Sequence, residues 1–241
     1  VSVAACARPG GLELTGRLLA AADLPAGSAV LDVGCGAGAS VAHLADEHLL
    51  SATGVDASAA TVAQAGEARP DLDFVAGRAE RLPFPAASFD AVLYECVLST
   101  LPDPGAALAE AARVLRPGGA LLVSDLYARS GEEADRRGGV PSLGSRTAVE
   151  RLFAACRLSV TLWEDASEAL GRYIWEHAAA DGALGEERRA SRSAERRSRP
   201  PAERRVRPFA ERRTPRPDAR VLGYFFCVAR PRPSTRGAAG A

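Results

Sequence analysis

Nine residues near the start of the chain, Val30-Leu31-Asp32-Val33-Gly34-Cys35-Gly36-Ala37-Gly38, set glycines at alternate positions directly after a short apolar run. Glycine reaches φ > 0 and lets backbone N–H groups approach a ligand with no Cβ in the way. The helix expected to follow adds the positive end of its dipole. Eighteen residues past Gly38, Asp56 closes a second run, Ala52-Thr53-Gly54-Val55-Asp56, where a carboxylate can accept both hydroxyls of a ribose. Loop and carboxylate together point to an adenosine-containing cofactor. A helix cap or turn would also use Asp56, and a strand end would also use Asp32. Gly34-x-Gly36-x-x-Ala39 satisfies the loose dinucleotide fingerprint too, so a nicotinamide dinucleotide competes for this site. The third glycine at 38 and the acidic Asp32 stand against it.

A second pair of reactive side chains, Glu95-Cys96, follows the apolar run 89–94. Glu95 can act as a general base where burial raises its pKa, and Cys96 can bind a soft acceptor as thiolate. The plain readings are a loop acid and a small apolar filler. Cys35 inside the glycine loop reads as space-filling, Cys156 and Cys227 as core, and Cys6 as a further soft ligand if the N-terminal helix folds over the site. The cysteines, five in all, lack metal-type spacing and fit reduced thiols. His43 and His48 are five apart, off the four-residue spacing that pairs ligands on one helix face. His177 and Trp175, with Trp163, Tyr127 and Tyr173, are candidates for an acceptor wall, although core packing accounts for them equally well.

These residues need a scaffold, and the hydropathy pattern supplies one. Residues 12–22 predict an amphipathic helix. Strands are expected at 29–33, 52–56, 72–76, 89–94 and 120–124, the last entered through Pro117-Gly118-Gly119, with helices between them. A helix at 146–156, a strand at 158–163, a helix at 167–180 and a final strand at 221–229 complete the pattern. Strands alternating with helices mean βαβ units and a parallel sheet. The expected organisation is an N-terminal helix or lid (1–27), a cofactor-binding domain (28–184) completed by a strand at 221–230, an insert (185–220) and a tail (231–241).

The insert differs in kind. Glu-Arg-Arg recurs at 187–189, 195–197, 203–205 and 211–213, a period that drifts around a helix, and prolines interrupt it. It reads as a disordered solvated repeat, with binding of nucleic acid as the sharper alternative. Residues 1–184 carry 14 Arg against 24 acidic residues, so the body is acidic, which argues against nucleic acid as its main ligand. No apolar run reaches membrane-spanning length, and a cytoplasmic location is expected.

Ser88-Phe89-Asp90-Ala91-Val92 and Arg113-Val114-Leu115-Arg116-Pro117-Gly118-Gly119 complete a set of motifs. With the glycine loop and Asp56, they resemble the class I S-adenosylmethionine-dependent methyltransferases, particularly the quinone-biosynthesis and small-molecule group. The likeness is strong over about residues 28–125 and weaker over 126–165. It implies a Rossmann-like α/β fold, a doubly wound seven-stranded sheet of order 3-2-1-4-5-7-6 with the last strand antiparallel. It implies S-adenosylmethionine as cofactor, held by Asp32, Gly34, Cys35, Gly36, Gly38, Asp56, Ala57, Ala79, Glu80 and Tyr94. Gly77-Arg78-Ala79 departs from the family's Gly-Asp-Ala, which removes an acceptor for the adenine amine; Glu80 can substitute. Glu95-Cys96 is similar in place to the Asn-Cys pair of arsenite methyltransferases, which makes a sulfur, selenium or arsenic acceptor one option among small molecules. Arg8-Pro9-Gly10-Gly11-Leu12-Glu13-Leu14-Thr15, Ser124-Asp125-Leu126-Tyr127-Ala128-Arg129 and the terminal Gly223-Tyr224-Phe225-Phe226 resemble a smaller bacterial subgroup of uncertain substrate. No metal site and no membrane partner are expected. The rival readings are a non-catalytic module acting through its basic repeat and an NAD-dependent oxidoreductase, for which the chain has no lysine to serve a Tyr-x-x-x-Lys pair.

Overall fold

The computed structural model describes residues 8–129, 141–177 and 222–232. Cys6, the arginine-rich repeat at 185–220 and the tail beyond 232 lie outside them. The elements in chain order are α1 (Gly11–Ala22), β1 (Ala29–Val33), α2 (Ala39–Asp46), β2 (Ser51–Asp56), α3 (Ala59–Ala68), β3 (Asp73–Ala76), β4 (Phe89–Glu95), α4 (Pro104–Val114), β5 (Leu115–Ala128), α5 (Arg146–Ala155), β6 (Leu158–Asp165), α6 (167–177) and β7 (Leu222–Pro231).

The strands form one sheet in the order β3-β2-β1-β4-β5-β7-β6. β1 pairs in parallel with β2 and β4, whereas β7 runs antiparallel to both β5 and β6, as the motifs predict. Alternation along each strand divides the core into two halves. Leu31, Val33, Val92, Tyr94, Leu121 and Val123 face α4 and α5, while Val30, Ala91, Leu93, Ala120 and Leu122 face α1 and α2. Both faces are covered, which is why the central strands read as mainly apolar runs rather than as alternating ones. α1 joins the second half through Leu14, Leu18, Leu19 and Ala22, a stripe at helical spacing.

Three elements are longer than their apolar windows. β4 includes Glu95, β6 runs to Asp165, and β5 runs from Leu115 to Ala128 because β7 pairs with it as far as Ala128. The Pro117-Gly118-Gly119 turn is absorbed into β5 at a register shift opposite Phe89 and Ala91. α2 ends at Asp46, so His48 lies beyond the helix. Among the described residues no helix is long and apolar enough to cross a membrane. Strand order reverses between β1 and β4, and the crevice at the C-terminal ends of these strands is where such sheets bind ligands.

Candidate active site

The glycine loop lies at that crevice. The amides of Gly34 and Cys35 donate to the Val55 carbonyl at 2.7 and 3.1 Å, bending the chain off β1 and towards β2. Gly36 and Gly38 hold φ of 52° and 82°, and a Cβ at Gly36 would project into open space while one at Gly38 would strike the Phe74 ring. Asp56, half-buried at the end of β2, accepts the Gly36 amide at 3.1 Å and the Ser58 amide at 2.9 Å. Cys35 is buried with its sulfur packed over Gly54, and burial, then the Asp32 charge, raises its thiol pKa, so it fills space.

Asp32 is only 3 % exposed and receives no hydrogen bond from any described residue. Burial, and then the charge of Glu95, pushes its carboxyl up to about 8, while Arg8 pulls in the opposite direction. A buried carboxyl without donors is costly unless something brings it a partner.

Glu95 has partners in abundance. Its side chain, 3 % exposed, accepts the hydroxyls of Thr15 and Ser40 at 2.9 Å each and pairs with Arg8 at 2.5 Å. The reading of Glu95 as a loop acid gives way to a strand-end residue bound to α1, to α2 and to the turn before α1. Burial raises its pKa, against the lowering effects of Arg8 and the two hydroxyls. Three donors on one carboxylate make it an anchor rather than a poised base.

Cys96 follows with φ 58°, its amide bonded to the Ser124 carbonyl at 2.8 Å. Its sulfur lies 3.0 Å from the Tyr224 hydroxyl, which donates to Ser124 Oγ at 3.0 Å. Burial, then nearby Asp125, pushes the Cys96 thiol up to about 12. Asp125, fully buried, accepts the Ser99 amide at 2.9 Å and the Ser99 hydroxyl at 2.5 Å, tying the segment after β4 to β5. Tyr173 of α6 stands near enough for Cys96 to contribute to its raised pKa, after burial.

The remaining candidates divide. Ala57 is exposed beside Asp56, and Ala79 is buried. The Glu80 side chain is tucked in at 17 % exposure while Arg78, at 67 %, points outward and pairs with it at 3.4 Å. Arg78 therefore leaves the crevice to its neighbours. The Tyr94 side chain is fully buried and donates to the Ala107 carbonyl at 3.1 Å, so it belongs to the core and only its backbone borders the site. Trp175, 73 % exposed, and His177, which contacts Tyr173, sit outside the Cys96 cluster. Trp163 stacks on Phe225 at 4.1 Å, and Tyr127 bonds to Asp165 at 2.7 Å, both structural roles. His43 and His48 meet, Nε2 to Nε2 at 3.2 Å, because His48 has left the helix and the helical spacing rule no longer applies. Among the described residues no three His, Cys, Asp or Glu side chains are placed to hold a metal ion.

Sequence reasoning missed Arg8, Thr15, Ser40 and Tyr224 as members of the site. Arg8, Thr15 and Tyr224 stood in stretches noted for subgroup likeness, which was the only signal they offered.

Residues 31–123, from β1 through β5, match the model of a family described as a methyltransferase domain. Over this region the chain is 46 % identical across 99 residues, 41 % of each chain, to a demethylmenaquinone methyltransferase of Beutenbergia cavernae. It is 37 % identical across 132 residues, 51 % of this chain and 48 % of the relative, to the 27-O-demethylrifamycin SV methyltransferase of Amycolatopsis mediterranei. The match to the first of these spans about two fifths of that protein's length. Among solved structures, the [4+2]-cyclase SpnF superposes with a TM-score of 0.69 at 25 % identity, covering 92 % of this chain and 82 % of that one. The chain thus resembles methyltransferases in sequence and a protein named for a cyclisation in shape, and the reaction must be argued from the site.

Proposed function

We propose that the chain transfers a methyl group from S-adenosylmethionine to a small organic acceptor. The observation that carries this is Asp32, a buried carboxyl without a donor, set beside an open glycine cradle and the Asp56 carboxylate. The residues fit the cofactor's parts. Asp56 offers oxygens to the ribose hydroxyls, the Gly34–Gly38 backbone lies against the chain linking ribose to amino acid, and Asp32 gives its carboxylate to the α-ammonium group. Ala79 and Glu80 border the adenine.

When bound, the cofactor supplies a methyl group already activated by a sulfonium leaving group. The protein's part is alignment and exclusion of water. The segment after β4 offers Cys96 and Ser99 to the acceptor, a rim of neutral hydrogen-bonding groups, with Tyr224 of β7 buried behind it and holding Cys96. Glu95 holds α1 and α2 against this rim and keeps the cofactor's amino-acid end covered. The relatives' names describe quinone and polyketide-type acceptors, which supports an acceptor of that kind: a ring hydroxyl or electron-rich ring carbon on a largely apolar body. A sulfur, selenium or arsenic acceptor has weaker support, because the Cys96 thiol is engaged by Tyr224 and held protonated by burial.

Titration with S-adenosylhomocysteine by calorimetry, with NADH as the control, tests the cofactor. Micromolar binding of the first alone is expected; binding of NADH in its place would return the dinucleotide reading. Transfer of labelled methyl from S-adenosylmethionine to a panel of quinols and aromatic polyketides then tests the acceptor class.

A further inference from the structure

The crevice is unbalanced in charge. Asp32, Asp56 and Glu95 converge on it, and a single guanidinium among the described residues, Arg8, reaches into the same space. Arg8 is unlike the other ion-paired arginines described. Its side chain is 10 % exposed, whereas the others range from 28 % to 67 % and sit on the surface. Burying a guanidinium is unfavourable, and a paired one contributes little net stability over an apolar replacement. Its position needs another reason.

The ligand proposed above supplies one, and the inference rests on that reading. The cofactor ends in an amino acid, a zwitterion whose ammonium and carboxylate lie side by side. Asp32 and the glycine loop answer the ammonium and the ribose, but neither answers a carboxylate. We propose that Arg8 is the residue that binds the cofactor's α-carboxylate, and that in doing so it fastens the turn before α1 over the amino-acid end. The guanidinium carries a planar fork of donors that can serve two carboxylates at once, one from Glu95 and one from the ligand. Glu95 then has a defined positioning role. With Thr15, which also accepts from Arg8 at 2.5 Å, it aims the fork inward. The chain reverses at Gly10 (φ 77°), so Arg8 is delivered to the crevice from outside the domain that carries the recognised motifs.

The arrangement makes closure of α1 depend on an intact amino-acid end. S-adenosylhomocysteine and its decarboxylated form differ only in the group Arg8 would hold. The wild-type protein should bind the first about 10- to 100-fold more tightly, the usual worth of a charge-assisted bond. Arg8→Gln should bring S-adenosylhomocysteine down to the level of the decarboxylated compound and leave the latter nearly unchanged. Arg8→Lys keeps charge without the fork and should recover part of the difference. Hydrogen exchange should show the amides of residues 11–22 protected by S-adenosylhomocysteine and not by the decarboxylated ligand. Equal wild-type affinity for the two ligands, or an equal loss of both in Arg8→Gln, overturns the proposal and leaves Arg8 a structural residue. If Arg8→Gln does not fold, the wild-type comparison and Arg8→Lys decide the matter. Failure of the wild type to bind either ligand is a separate result, and it removes the cofactor reading itself.

Discussion

The Gly36 amide donates to the Asp56 carboxylate at 3.1 Å, so the loop after β1 is fixed by the residue that ends β2. One side chain thereby has two tasks, shaping the cradle and receiving the ribose. Asp56→Ala should weaken S-adenosylhomocysteine binding by about 100-fold or more, since it removes charge-assisted bonds and loosens the loop together. Asp56→Asn keeps one oxygen acceptor and should lose less. Calorimetry on the two variants checks the order; equal losses would mean the loop does not depend on this bond.

Gly36 and Gly38 have different reasons to be glycine. At Gly36 the left-handed backbone alone is at stake, and Gly36→Ala should lower stability by about 1–2 kcal/mol. Its methyl group would enter the cradle and weaken S-adenosylhomocysteine binding about 10-fold or more. At Gly38 a Cβ would also stand 2.6 Å from the Phe74 ring, so Gly38→Ala should lose more stability, about 2–4 kcal/mol. Urea denaturation of both variants, compared with their affinities, separates the two effects.

Asp32 predicts a pH dependence with a definite sign. Its carboxyl is raised by burial and by Glu95 from an ordinary 3.8 to about 8, with Arg8 opposing and Asp56 adding to the rise. The folded protein therefore holds this proton more tightly than the unfolded chain. The stability this group contributes is complete below about pH 4 and is lost as pH climbs towards 8. A ligand ammonium favours the ionised form, so binding near pH 7 should expel a proton, and affinity should rise between about pH 6 and 8. Calorimetry in two buffers of different ionisation heat counts that proton. Asp32→Asn should abolish its release; release that persists in the variant assigns it to another group.

The Cys96 thiol, pushed up to about 12, should resist alkylation by iodoacetamide at pH 8 in the folded protein, while the partly exposed Cys156 reacts first among the described cysteines. Mass spectrometry of the alkylated peptides tests this. Cys96→Ser should leave S-adenosylhomocysteine affinity within about 2-fold and abolish turnover of a metalloid acceptor, if there is one. Unchanged metalloid turnover would end the soft-acceptor reading.

Much of the fold was legible because buried parallel strands leave a plain record. Ala91–Tyr94 is a continuous apolar run, Val30–Val33 is one broken only by Asp32, and Gly34, Gly36 and Gly38 mark where the backbone turns back on itself. The ends of elements were less legible. β5 extends past Ser124 because β7 pairs with it, and no local pattern in 125–128 announces a partner from residue 222 onward. The charged wiring was hidden for the same reason. Glu95 meets Thr15 across 80 residues of sequence and Cys96 meets Tyr224 across 128. Hydropathy has a period along one element, whereas a contact between elements has none. Glu95 looked like a loop acid because charge predicts exposure, and only the fold reveals the arginine that reverses that prediction.

β7 pairs with β5 on one side and β6 on the other, and among the described residues β6 has no other strand beside it. On the ribosome, β5 and β6 must therefore emerge and wait, each with an open edge, until residues 222–231 follow. A premature stop anywhere before Leu222 would not trim the rim of this sheet. It would remove a middle plank, β7, leave β6 without a partner, and expose the row of backbone groups along β5 to whatever other nascent chain came near.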